Sequence, residues 1–93
     1  MLCHPYADRV ECHAGGKPDV VKPVLKKPKD RIAFLAAFHD ELAVYFSNNN
    51  VNHVAVEYVN LGQGKKNVIR HVGEVTGVLV SAAVQAGATV EKA

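Results

Sequence analysis

The chain has 93 residues, of which 48% are apolar and 22% charged, with a formal net charge of +2. A chain of this length makes one domain that buries only roughly 60 to 65% of the surface exposed when unfolded, which excludes a second domain and leaves a thin core. An aromatic content of 6% argues against a base-stacking platform for single strands.

No apolar run is long enough to span a bilayer, and residues 1–5 have neither the charged start nor the apolar middle of a signal peptide. The expectation is a cytoplasmic protein with no membrane partner. The basic residues are clustered: Lys17, Lys22, Lys26, Lys27, Lys29 and Arg31 are offset only by Asp19 and Asp30, and no acid separates Lys65, Lys66 and Arg70. Such runs are either solvated faces or contacts for an anionic partner.

Residues 1–29 contain all four prolines (Pro5, Pro18, Pro23, Pro28) and the pair Gly15-Gly16. Proline breaks helices and central strands alike, so this segment is expected to be irregular or to supply edge strands, over residues 9–13 and 20–25. Cys3 and Cys12, in a compartment expected to be reducing, are not expected to form a structural disulfide. Each precedes a histidine, which puts four soft ligands (Cys3, His4, Cys12, His13) into one short segment. Zinc motifs, however, space the ligands of a pair about two to four residues apart, and adjacent residues diverge on an extended backbone. Two unpaired thiols near a loose terminus are the expectation.

From Asp30 the pattern changes. Ile32, Leu35, Phe38, Leu42, Tyr45 and Phe46 recur at the three-and-four spacing of an amphipathic helix, with Asp30 as N-cap and Asn48, Asn49 and Asn50 at the end. The aromatic row Phe34, Phe38, Tyr45 has the spacing of core residues. Residues 51–59, "VNHVAVEYV", read as a strand with Val54, Val56 and Tyr58 on one face and His53, Ala55, Glu57 and Val59 on the other. Both faces are largely apolar, as in a parallel strand covered by helices.

A Gly-rich connection over residues 60–66 follows, then a helix over 67–86 in which Val68, Ile69, Val72, Val75, Leu79, Ala83 and Val84 are buried candidates. Gly87 is a natural stop, and 88–91 make a further short strand. Residues 51–91 thus form a βαβ unit, and the chain is α/β. In the second helix Gly73 and Gly77 lie on one face, each costing about 1 kcal/mol relative to alanine, so close approach to a sheet or helix should compensate. The run Val78 to Val84, apolar nearly all round, exceeds what one thin sheet can cover, which points to a second chain packed there.

Glu57 is expected at the carboxyl end of its strand, where open α/β sheets carry their reactive side chains. A carboxylate on the rim of a dry sheet must pair with a cation (Lys65, Lys66 or a histidine), protonate, or join other ligands around a metal. The loop Gly62-Gln63-Gly64-Lys65-Lys66 has neither the Walker spacing nor the full GxGxxG pattern, which leaves contact with a nucleic-acid backbone as its better functional reading.

The Val-rich strand "VAVEYVN", the Gly- and Lys-containing loop after it, and "HVGEVTGVLVSAAVQAGATVE", with its GxxxG beginning at Gly73 and its terminating Gly87, resemble the central portion of the RuvC family of Holliday-junction resolvases, within the ribonuclease H-like superfamily. The likeness covers about residues 30–92 and implies a truncated ribonuclease H-like fold: a small, mainly parallel sheet with two main helices, in which residues 1–29 are an N-terminal segment and 30–93 the core.

It also implies an endonuclease that holds two divalent metals, Mg²⁺, with four acidic residues to hydrolyse a phosphodiester. Glu57 matches the family's second acid as metal ligand and catalytic residue, Lys65, Lys66 and Arg70 would lie near phosphates, and Gly73, Gly77, Val80 and Val84 would form the homodimer interface. The family's first Asp lies on an opening strand of "DPG" type, which this sequence lacks, and its last acids lie on a later helix. Asp8 is a poor substitute. The functional expectation is a RuvC-like nucleic-acid-processing domain of Holliday-junction resolvase type with an incomplete acidic set, acting as a nuclease or only binding DNA, branched DNA included; the alternative is a non-catalytic homo-oligomeric interaction module in which Glu57 pairs with a base.

Overall fold

Short apolar alternations build three strands from the first 21 residues: β1 (Leu2–Pro5), β2 (Val10–His13) and β3 (Asp19–Val21). Then come α1 (Arg31–Asn48), β4 (His53–Val56), α2 (Lys66–Gln85) and β5 (Thr89–Lys92). The structure, a computed structural model, describes residues 1–23, 30–58 and 66–93. The expected connection over 60–66, Lys65 included, lies outside them apart from Lys66.

The strands form one mixed sheet in the order β3-β2-β1-β4-β5. β1–β2 and β2–β3 are antiparallel, whereas β1–β4 and β4–β5 are parallel. The expected βαβ unit is present as β4-α2-β5. The N-terminal segment, expected to be irregular or to supply edge strands, does supply an edge in β3, but it also fills the middle of the sheet, since β1 lies between β2 and β4 and β2 between β3 and β1.

Pro5 is tolerated there because it ends β1. On the β2 side, the Tyr6 N–H donates to the Arg9 carbonyl at 2.8 Å. Hydrogen-bonded and non-hydrogen-bonded pairs alternate along an antiparallel ladder, so Pro5↔Val10 and Cys3↔Cys12 both fall in the non-bonded register. On the β4 side the ladder's last strand-to-strand bond runs from the Glu57 N–H to the Cys3 carbonyl at 3.0 Å.

The inward-facing residues Cys3, Pro5, Val10, Cys12, Val21, Val54 and Val56 are all buried. They pack against Phe38, Leu42 and Phe46 of α1 and Val75, Leu79, Ala82 and Ala83 of α2. Both helices cover this one face. The opposite face carries Leu2, His4, Glu11, His13, His53, Ala55, Thr89 and Glu91, none of them buried. The expectation of a strand covered on both sides is therefore corrected: among the described residues only one face of β4 is covered, and Tyr58 beyond its end is 49% exposed.

Two helix ends are built alike. The chain leaves α1 through Asn50, at φ 51°, with the Val51 N–H on the Phe46 carbonyl and the Asn50 N–H on the Ser47 carbonyl. It leaves α2 through Gly87, at φ 86°, with Ala88 on Ala83 and Gly87 on Val84 in the same pattern. Both are Schellman motifs, which require the left-handed conformation that Gly and Asn adopt most readily. At the start of α1, the Asp30 carboxylate accepts the Ala33 N–H at 2.7 Å, as an N-cap should.

On α1, Ile32 departs from the expected inward stripe and is 79% exposed. Tyr45 lies at the stripe's edge, where its hydroxyl donates to Asp19 at 2.7 Å and ties α1 to β3. Burial first, then this bond to a carboxylate, pushes the Tyr45 phenol well above its ordinary range.

Candidate nucleic-acid interface at the carboxyl edge of the sheet

The parallel strands β1 and β4 end side by side, which brings His4 and Pro5 next to Glu57. Pro5 has no N–H to continue the ladder to the Glu57 carbonyl. The His4 ring takes up that position, with Nδ1 at 3.2 Å from the oxygen. Glu57 stands at the strand end as expected, but it is exposed. Because the face beneath it is uncovered among the described residues, its charge carries little desolvation cost, and the requirement for a cation or metal based on a dry rim no longer applies.

His53, the histidine on Glu57's strand face, is turned elsewhere. Its Nδ1 is 2.9 Å from Thr89 Oγ1 and its Nε2 is 2.9 Å from Glu91 Oε1, both on the neighbouring strand.

Arg31 organises the same edge, a role its sequence position does not announce. Its Nε donates to Glu74 at 3.0 Å, and its Nη2 donates to the carbonyls of Ala7 at 2.9 Å and His71 at 3.3 Å. One guanidinium thereby joins the β1–β2 turn, the start of α1 and the second turn of α2, and its approach to the Phe34 ring (4.7 Å to the centroid) orients it further. Glu74 is the first acid in α2, so this pair neutralises the negative charge that lies nearest Lys66 and Arg70 along the helix. Both cations are exposed, on the first five residues of the helix, where backbone N–H groups add positive potential.

Gly73, Gly77 and Val84 lie along one exposed stripe of α2, with Val80 half-buried beside them. A Cβ added at either glycine would meet nothing within 4 Å, so the expected close approach is not made among the described residues. The inward face is Val72, Val75, Leu79, Ala82 and Ala83. Ile69 and Val84, expected inside, are 55% and 60% exposed, because they lie off the stripe of Val72, Val75, Leu79, Ala82 and Ala83 that meets the rest of the core.

The cysteines are not at a loose terminus. Cys3 and Cys12 are fully buried cross-strand partners with sulfurs 3.4 Å apart. The hydrogen bond to Cys3, reinforced by burial and by charge, pushes the Cys12 thiol far above the ordinary range. His4 and His13 project from the other face of the sheet, their rings 5.0 Å apart edge to face. Strand alternation thus separates the four soft ligands, as zinc would not allow.

The donor set does not fit Mg²⁺ either. Among the described residues no three His, Cys, Asp or Glu side chains gather closely enough to hold a metal. Glu57's neighbour on the adjacent strand is an imidazole rather than the oxygen ligand that Mg²⁺ prefers. No helix among the described residues is long and apolar enough to cross a membrane.

No protein-family model and no curated protein sequence matches the chain. Solved structures do. RuvC of Thermus thermophilus superposes with a TM-score of 0.66 at 19% identity, over 99% of this chain and 62% of that one. The same protein in complex with a Holliday-junction substrate gives 0.68 at 19% identity, over 99% and 61%. This chain therefore spans less than two thirds of the length of the RuvC chains it resembles. In the arrangement of the five strands and two helices among its described residues, it has a truncated form of the RuvC fold.

Proposed function

We propose that this chain is a RuvC-like DNA-binding unit that holds the backbone of a branched duplex through the basic start of α2 and pairs with a second copy through the exposed stripe of the same helix. Cutting is not part of the reading. Aligning Pro5 with the proline of the family's DPG motif puts His4 in the place of the motif's Asp, and one carboxylate beside an imidazole cannot clamp both oxygens of a phosphodiester displacement. The observation that carries the reading is the Arg31–Glu74 pair, which leaves Lys66 and Arg70 as exposed cations at the edge where β1 and β4 end. Likeness to a RuvC structure bound to a junction supports the choice of DNA as the anion.

The test is binding of a labelled four-way junction and of a linear duplex across a salt series. Log affinity should fall linearly with log salt, with a slope near −0.9 for each phosphate neutralised. Absence of binding to either DNA at low salt would reject the proposal.

Pairing through α2 rests on the open space over Gly73 and Gly77, and it also fits a purely homo-oligomeric module. Gly73→Ala with Gly77→Ala should stabilise the isolated chain by about 1 kcal/mol per site, since both are helical and unobstructed. The same change should weaken self-association seen by sedimentation, because two backbones could no longer approach closely. Unchanged association would place the interface elsewhere.

A further inference from the structure

Neither the core packing nor the basic edge explains why Cys3 and Cys12 face one another. Small apolar residues would fill the same space. Yet the two are direct partners across β1–β2, both 0% exposed, with sulfurs 3.4 Å apart. Their non-hydrogen-bonded register is the closer of the two antiparallel spacings, with Cα atoms about 4.5 Å apart, inside the range of about 4.4 to 6.8 Å that disulfides span. Bridging them needs only a small inward rotation of each side chain.

We propose that Cys3 and Cys12 are a redox modification site, forming a reversible intramolecular disulfide between β1 and β2 when the chain meets a hydroperoxide. In the first step one cysteine sulfur attacks a peroxide oxygen. The O–O bond breaks, the alcohol or water leaves with the thiol proton, and a sulfenic acid remains. In the second step the other sulfur, already adjacent, attacks the first; the S–O bond breaks and the hydroxyl departs as water with the second thiol's proton. Two thiols and one hydroperoxide thus give a disulfide, an alcohol (or water) and a water, with two electrons passing from the sulfurs to the peroxide. The peroxide gains access when the β1–β2 pair opens locally. On reclosure the buried site favours condensation over further oxidation, because it shuts out the second peroxide that further oxidation consumes and holds the other thiol against the sulfenic sulfur.

The bridge would act on the centre of the sheet. The Cys3 carbonyl accepts the Glu57 N–H at 3.0 Å, so fixing β1 to β2 also steadies the strand pair that ends at Glu57. It closes a loop of sequence separation 9, and constraining the unfolded chain in this way should raise the melting temperature by roughly 5 to 15 °C.

The test is to treat the folded chain with hydrogen peroxide, then follow intact mass without reductant, free thiols by alkylation, and thermal melting. The expected product is a monomer lighter by two hydrogens, with both thiols lost together and a raised melting temperature that dithiothreitol reverses. Oxygen adducts on single thiols, disulfides between chains, no reaction, or a bridge that forms only in urea would each overturn the proposal. Cys12→Ala keeps a small apolar residue in place and should show no peroxide-dependent gain in melting temperature. A gain in that variant would also overturn it.

Discussion

Phe38→Ala is expected to lower the free energy of unfolding by about 4 kcal/mol, the cost of deleting a fully buried aromatic ring and leaving its cavity. A domain of this size is stable by only about 5 to 14 kcal/mol, so the variant should lie close to the point of unfolding. Phe38, Leu42 and Phe46, spaced four apart on α1, are each 0% exposed and form the roof of the core above Cys3, Cys12 and Val54. Phe34 meets Phe38 edge to face at 5.7 Å, and truncating the ring also removes this aromatic pairing, worth about 0.5 to 1.5 kcal/mol beyond its buried area. Since both helices lie on one side of the sheet, no second core layer among the described residues shares the load. Ile32→Ala is the control: the same helix, a residue 79% exposed, and an expected change within about 0.5 kcal/mol. Urea midpoints measured at constant slope decide the matter. Equal losses of stability in the two variants would mean that α1 turns a different face to the sheet.

Where the sequence was legible, the determining signals were local. The stripe of α1 inside Asp30 and Asn50 follows from helical periodicity and end chemistry, and so does the stop of α2 at Gly87. Glu57 falls at the end of its strand as read. What escaped reading depends on partners far away in the chain. β1 is four residues long and ends in proline, too little local signal to mark a strand at all. Its central place comes from parallel pairing with β4 some fifty residues on, as the Glu57-to-His4 separation of 53 illustrates. Arg31 is likewise unremarkable in sequence, because its partners Ala7, His71 and Glu74 lie 24, 40 and 43 residues away. Ile69 and Val84 are apolar yet lie off the inward stripe of α2, since which of its apolar residues meet the sheet is set by partners elsewhere in the chain. The sheet's open face was missed because Ala55 sits between His53 and Glu57, so one small apolar residue made a half-solvated strand look dry.

Replacing Lys66 and Arg70 by glutamine is expected to cut affinity for a four-way junction about 60-fold at 0.1 M salt and to make the slope of log affinity against log salt shallower by about 1.8. The figure follows from two phosphate contacts, each releasing about 0.9 counterion. Folding gains little from these two cations: among the described residues their one side-chain bond is the exposed Arg70-to-Asn67 contact at 3.5 Å. They are exposed and sit at the positive end of the α2 dipole, where a cation costs a few tenths of a kcal/mol, roughly 0.3 or more at low salt. The double variant should therefore melt at the same temperature as the parent or slightly above it while losing DNA. That combination separates a binding role from a structural one, because a damaged fold would lower both. Arg31 gives the contrast: it is half-buried and holds Glu74 together with two carbonyls, so its removal should lower stability and leave Glu74 uncompensated beside the basic edge. If the glutamine variant binds the junction with unchanged affinity and unchanged salt slope, the phosphates are held elsewhere on the chain, and the start of α2 is only a solvated helix end.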